Sequence, residues 1–356
     1  MQLKPILKAY GLDENSLQIE AFGSGLINYT WILTRPSVVP IEASRGDDKS
    51  YILQRVNHAV FKKPRNIASN IRMIADSLKK HHPDYLFVAP VLTLKSQDMV
   101  YRKGDGYFRL FPFVSGSHSK EVVETPQQAF EAAVQFGRFT RLLSDVDMGQ
   151  VKVTIPHFHD IELRYKQFLT VLKTGNKDRI AQSVVLIKKL LIYNDIVKTF
   201  HVLKSDPAFK IRVTHHDTKI SNVLFDEKDR GLCVIDLDTV MPGFFISDVG
   251  DMMRTYLSPV SEEETDFSKI HIRTDFYRAI VEGYFSEMKE ELTATEKNAF
   301  FYAGTFMIYM QALRFLTDYL NDDVYYGAKY PEHNLNRAHN QIVLLECLFE
   351  NKADLD

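Results

Sequence analysis

The chain has 356 residues, enough for about two domains or lobes, and its 45% apolar and 12% aromatic content can fill large cores. A formal net charge of −2 with no long basic cluster removes the electrostatic basis for binding nucleic acid or an anionic membrane, so small-molecule partners are expected. Two cysteines, Cys233 and Cys347, make no disulfide framework, and a monomer or weak dimer in a reducing cytoplasm is the expectation.

The first residues carry no apolar stretch long enough for a signal peptide. Residues 2–10 read as a short amphipathic helix ended by Gly11. Two strand-like runs follow across 17–33, around a glycine turn in which Asn28 stands where a third glycine would complete G-x-G-x-x-G. Glycines let backbone N–H groups approach phosphate oxygens, which makes Gly23, Ser24, Gly25 and Asn28 candidates for nucleotide binding; an ordinary hairpin explains the same residues. No Gly-Lys-Ser/Thr exists for a Walker loop. After a polar loop over 36–50, Tyr51–Val56 returns as a third strand. A group on this strand could hold nucleotide phosphates. Strand alternation lets only one of Gln54 and Arg55 do so, and charge favours Arg55. A helix over 64–80 places Ile67, Ile71, Ile74 and Leu78 on one face.

Strands are expected at 87–94 and 99–102, followed by an aromatic extended run over 107–114. Phe111 and Phe113 in that run could sandwich an adenine ring, or the run is a plain core strand. Thr125 as N-cap and Pro126 at the first helical position open a strong helix with Phe130, Ala133, Val134, Gly137 and Leu142 along one stripe. His157 and His159 lack further nearby ligands for a metal site, and their loop is assigned to substrate or packing. Residues 161–204 read as two helices.

Chemistry concentrates between Val213 and Asp251. Asp217, Asn222 five residues on and Asp236 fourteen after that interrupt otherwise apolar, strand-like runs. Pairing Val223–Phe225 with residues 232–235 through a charged turn brings Asn222 beside Asp236. An amide oxygen and a carboxylate are hard donors of the kind Mg²⁺ takes. Asp217, in the loop just before, suits a base that accepts a proton from a hydroxyl, and Lys219 could neutralise a transferring phosphoryl group. The order is that of the protein-kinase signature, an H-x-D-x-x-x-x-N loop followed by a metal-binding Asp. The usual lysine–glutamate pair is missing, since no acidic residue lies between Asp48 and Asp76. Asp238 shares a face with Asp236 and is a second metal ligand or a substrate contact. Asp248 reads as an N-cap that also bonds the catalytic loop. Helices are expected at about 262–288, 293–320 and 332–351; the uncharged run 298–313 is too short to span a bilayer and reads as a buried helix. Arg314 either caps that helix's dipole or, with Tyr325 nearby, binds a sugar.

The chain resembles the aminoglycoside-phosphotransferase/choline-kinase branch of the kinase fold, through His215-x-Asp217, Asn222 and Val-Ile-Asp236. Within that branch it is similar to the N-acetylhexosamine 1-kinases, in blocks at 22–28, 52–58, 217–226, 234–243 and 314–321. The resemblance implies an α+β, bilobal protein-kinase-like fold: an N-lobe over 1–113 of antiparallel sheet plus helix, and a large, mostly helical C-lobe over 114–356. It implies transfer of phosphate from ATP with Mg²⁺ to the anomeric hydroxyl of N-acetylglucosamine or N-acetylgalactosamine. Asp217 is then the base, Asn222 and Asp236 are metal ligands, and Arg314 and Tyr325 contact the sugar. Two rivals remain at this level: a kinase of another small alcohol (choline, ethanolamine, homoserine or an aminoglycoside) and a catalytically inactive nucleotide-binding regulator.

Overall fold

Alternating apolar residues along the early strands build an antiparallel sheet in the computed structural model, which describes residues 2–23, 28–35, 50–58 and 60–355. A short helix, α1 (Lys4–Ala9), precedes β1 (Gln18–Ala21), β2 (Tyr29–Thr34) and β3 (Tyr51–Val56); then come α2 (Pro64–His81), β4 (Val100–Arg102) and β5 (Gly106–Pro112). The strand order is β1-β2-β3-β5-β4, every neighbouring pair antiparallel. Leu33, Leu53, Phe108 and Leu110 point to one face, where Ile6 and Leu7 of α1 cover them. Each such side chain taken fully out of water contributes about 1.5–3 kcal/mol. The polar loop expected over 36–50 lies outside the described residues except for Ser50.

Two compact units result. The first comprises Met1–His118, Asp145–Pro156 and Ile235–Met241; the second comprises Ser119–Ser144, His157–Val234 and Pro242–Asp356. A buried amide explains how two distant segments join the first. Asn70, on the inner face of α2, donates to the carbonyls of Lys152 (2.8 Å) and Val240 (2.9 Å) and accepts from the Lys152 N–H at 2.8 Å. The strand expected over 87–94 does not form. Pro90 has no N–H to offer a ladder, and the segment runs extended with single bonds such as Val91 N–H to the Leu110 carbonyl at 2.7 Å.

The second unit is organised on α3 (Pro126–Leu142). Thr125 caps it as expected, in a full capping box with Gln128. Its burial extends nearly all round rather than along one stripe, and Phe130 is only partly covered. The helix packs against α9 (Thr274–Met288), which approaches closely because Gly283 has no side chain: a Cβ there would lie 2.5 Å from the Phe130 carbonyl oxygen. Between these lie more helices than expected. Residues 161–204 form α4 (Ile161–Thr174), α5 (Lys177–Gln182), α6 (Val184–Ile192) and α7 (Asp195–Ser205) instead of two helices. Asn176 stops the continuous pattern by capping α5 with its side chain, bonding Asp178 N–H at 3.1 Å, and further breaks fall at Ser183 and at Tyr193-Asn194. Next come β6 (Arg212–Thr214), the hairpin β7 (Val223–Phe225) and β8 (Gly231–Val234), and α8 (Phe245–Tyr256). Residues 262–273 stay largely irregular, so the expected 262–288 helix begins only at Thr274. The run expected over 293–320 divides into α10 (Ala294–Lys297) and α11 (Phe300–Leu320), and α12 (His333–Glu350) follows. α11 is buried almost throughout, and no described helix is long and apolar enough to cross a membrane.

Candidate active site

The loop after β6 is held from beneath by α8. The backbone N–H groups of His215 and His216 donate to the two carboxylate oxygens of Asp248 at 3.0 and 2.7 Å. Thr218 bonds the Asp248 carbonyl through its hydroxyl (2.8 Å) and the Asp251 carboxylate through its N–H (2.9 Å). The Tyr256 hydroxyl completes the set by donating to the Thr218 carbonyl at 2.6 Å. Asp248 is therefore not the N-cap expected of it. Phe244 occupies that position, and Asp248 lies four residues on, one turn into the helix, where its carboxylate reaches the loop. Burial pushes the Asp248 carboxyl up to about 7; nearby Asp251 adds to this, while the two N–H donors oppose it.

His216 takes a left-handed backbone, φ +68°, and its ring is gripped on two sides: Nε2 lies 2.7 Å from Thr214 Oγ1 and Nδ1 lies 3.2 Å from His159 Nδ1. Gly243 allows this. A Cβ there would sit 2.4 Å from both the His216 ring and Thr214 Oγ1. His159 stacks on Phe158, whereas His157 bonds Asp160. Burial, then His216, Arg314, Arg254 and Arg164, hold the His159 imidazole well below its usual pKa, so it is neutral.

Asp217 emerges from this anchored loop with its side chain 24% exposed, 3.5 Å from the Lys219 ammonium. The Asp217 carboxylate raises the lysine's pKa and keeps it charged. Asn222 is buried, and its Nδ2 donates to the Asp217 carbonyl at 2.8 Å. That bond fixes the amide's orientation and leaves Oδ1, the hard donor, without a hydrogen-bond partner among the described residues. The hairpin forms as expected, with Val223 opposite Val234 and Leu224 opposite Cys233. Asn222 thus directly precedes the first paired residue of one strand, and Asp236 follows the last of the other by two.

Asp236 belongs to the first unit, with φ +58° at the head of a tight turn, Leu237–Thr239. Asp238 in that turn is 2% exposed. Its carboxylate is taken up by an ion pair with Arg109 of β5 and by Asn28 Nδ2 at 2.8 Å. Arg109, itself 1% exposed, also donates through Nε and Nη2 to Gln54 Oε1 at 3.1 and 2.8 Å and lies over the Phe111 ring. Asn28 Oδ1 accepts the Asn57 N–H at 3.0 Å. Of the two β3 candidates, Gln54 is spent on Arg109, while Arg55 lies over the Tyr29 ring. Phe113 meets Phe22 edge to face, and Gly23 adopts φ +77°. Ser24 and Gly25 lie outside the described residues. Sequence reasoning missed Arg109; its one signal was a lone charge inside an aromatic strand.

In the second unit Arg314 lies 5.4–5.9 Å from the ring centroids of Phe158, Tyr325 and Tyr326. α11 continues to Leu320, so Arg314 is not in its last turn and the dipole-capping alternative fails. Arg314 and Tyr325 share a cavity of about 490 Å³ between α4 and the end of α11.

A phosphotransferase family model matches residues 18–288, from β1 through the anchored loop and hairpin to α9. The chain belongs to the phosphotransferase enzyme family. Solved structures share its fold over nearly full length. A spectinomycin phosphotransferase in complex with ADP and spectinomycin is 14% identical with TM-score 0.60, over 99% of this chain and 98% of that one. An amicoumacin kinase in complex with AMP-PNP and Ca²⁺ is 16% identical with TM-score 0.62, over 97% and 92%. A choline kinase from Cryptosporidium parvum Iowa II is 12% identical with TM-score 0.59, over 99% and 97%. The α+β, protein-kinase-like fold expected of this family member is the fold found.

Proposed function

We propose that this family member is an ATP-dependent kinase that phosphorylates the anomeric hydroxyl of an N-acetylhexosamine. The observation that carries the reading is Asp217: a partly exposed carboxylate on a loop whose neighbouring residues are immobilised by Asp248, Asp251 and Tyr256. Asp217 orients the acceptor hydroxyl and takes its proton as the hydroxyl oxygen bonds to the γ-phosphorus and the bond from that phosphorus to the bridging oxygen of ADP breaks. Lys219, held protonated, faces the charge that develops on the transferred group. Asn222 and Asp236 are the proposed Mg²⁺ ligands, and the amide oxygen of Asn222, with Nδ2 engaged by the Asp217 carbonyl, suits that ion. When bound, the ion neutralises charge on the phosphate oxygens. Two protein donors suffice, because Mg²⁺ usually keeps waters and substrate phosphates for the rest of its shell.

Gly23, Ser24, Gly25, Asn28, Arg55, Phe111 and Phe113 are the proposed nucleotide contacts, with Asp238 positioning Asn28 through its side-chain bond. Arg314 and Tyr325 are assigned to the acceptor. The family match and relatives solved with ADP or AMP-PNP support nucleotide use. A cationic acceptor such as choline is disfavoured by Arg164 and Arg314 in the same cavity. Asp217→Asn is expected to lower kcat by about 10²–10⁴ with nucleotide binding retained, and near-wild-type turnover rejects the base assignment. Phosphorus NMR of the product from ATP and mixed hexosamines is expected to place the phosphate on C1; phosphate at another carbon rejects the acceptor position.

A further inference from the structure

The cavity between α4 and α11 holds more positive charge than a neutral sugar requires. Arg164, Lys166 and Arg314 line it, against a single carboxylate, Asp318. That carboxylate is already committed, accepting the N–H groups of Tyr325 (2.7 Å) and Tyr326 (2.8 Å) and Asn334 Nδ2 (3.3 Å). Neither arginine has a carboxylate partner among the described residues. Arg314 donates to Gln311 Oε1 at 3.1 Å and otherwise meets aromatic rings. Arg164 donates to Gln167 Oε1 and the His157 carbonyl, while its Nε is buried with no partner. The carboxylate of nearby Asp160 is occupied by the Leu163 N–H and His157. The Thr317 hydroxyl, also lining the cavity, is buried and unpartnered as well. Burial, then the proximity of Arg314, depress the pKa of Arg164, while Tyr325, Tyr326 and Asp160 oppose the shift without cancelling it.

We infer that this cavity binds an anionic substituent of the acceptor, a phosphate or carboxylate remote from the reacting hydroxyl, so that the preferred acceptor is an acidic sugar. The inference rests on the reading of Arg314 and Tyr325 as acceptor contacts. Arg164 supplies its unpaired Nε–H and its positive charge to the anion, Arg314 a second guanidinium, and Thr317 a hydroxyl. The aromatic rings around Arg314 supply flat apolar faces for the sugar ring.

Isothermal titration of the full chain, without nucleotide, compares N-acetylglucosamine, its 6-phosphate and glucuronic acid. At least one acidic sugar is expected to bind about tenfold or more tighter than the neutral one, with the gap narrowing in high salt. Whichever acid is preferred identifies the anion as phosphate or carboxylate. R164Q is expected to abolish the gap and R164K to retain part of it; should R164Q fail to fold, R314Q serves the same purpose. Equal affinities for all three sugars in the wild-type chain, or an undiminished gap in the folded glutamine variant, overturn the inference. A separate assay with Mg-ATP distinguishes the two readings. An affinity gap without phosphoryl transfer to any of the sugars sinks the kinase reading and leaves the anion site standing, whereas transfer without a gap does the reverse.

Discussion

Arg109 shows how far one side chain can be from legible. Its neighbours in β5 are aromatic or aliphatic and give no hint of a partner, yet the guanidinium is buried and shared between Gln54, two residues back from the end of β3, and Asp238, more than a hundred residues on. A buried ion pair contributes little net stability when intact but costs about 3–5 kcal/mol when one partner is removed, because the other charge is then stranded. Arg109→Met is therefore expected to lower the urea midpoint markedly, and adding Asp238→Asn to recover much of the loss. A single variant as stable as wild type shows that Asp238 finds another partner. Asp217 and Asn222 differ in kind. The bond from Asn222 to the Asp217 carbonyl spans only five residues, and so the spacing that suggested a site in the sequence is also the spacing that builds this contact.

Elements were legible where their signals are local. Thr125, Pro126 and Gln128 spell out a helix start, and α3 begins there. Thr125→Ala removes the acceptor for the Gln128 N–H and is expected to cost about 1 kcal/mol, seen as a fall of about 2–4 °C in Tm; an unchanged Tm means that Gln128 holds the end by itself. Helix breaks were less legible. Leucine, isoleucine and valine with lysines among them across 184–192 and the residues beside it read as an unbroken stripe, but the Asn176 side chain caps a new helix and further breaks fall at Ser183 and Asn194, giving four helices from two. α8 illustrates the converse. The sequence flags Asp248 as a helix-terminal residue, whereas its place one turn further in lets one helix anchor the loop through Asp248, Asp251 and Tyr256.

At the scale of the whole molecule, long-range charge networks set the response to pH. Arg254 joins Asp251 (3.0 Å) to Glu262 (2.6 Å), and Arg337 pairs with the same glutamate from α12. Burial alone would raise the Glu262 carboxyl, but Arg254, Arg337 and Lys219 outweigh it and bring it from 4.5 to about 2. A depressed carboxyl stabilises the fold fully above its unfolded value and progressively less as pH falls from 4.5 towards 2, a loss on the order of 3 kcal/mol. Asp248 acts in the opposite sense: with its carboxyl raised to about 7, ionisation above that value costs stability that is regained as pH falls from 7 towards 4. Chemical denaturation across pH 2–7 is expected to show Glu262→Gln with a flatter acid limb than wild type; parallel acid limbs refute the role of Glu262. The family resemblance carried the α+β class, while turn residues and apolar periodicity by themselves determined the strands at Tyr29–Thr34 and Tyr51–Val56, the α2 face and the hairpin after Asn222, because each of these depends on neighbours within a few residues. Tertiary structure alone decided that Asp238 belongs to Arg109, that Asp251 and Tyr256 join Asp248 in holding the loop, and that two arginines share one cavity, because those partners are brought together by packing and no local pattern records it.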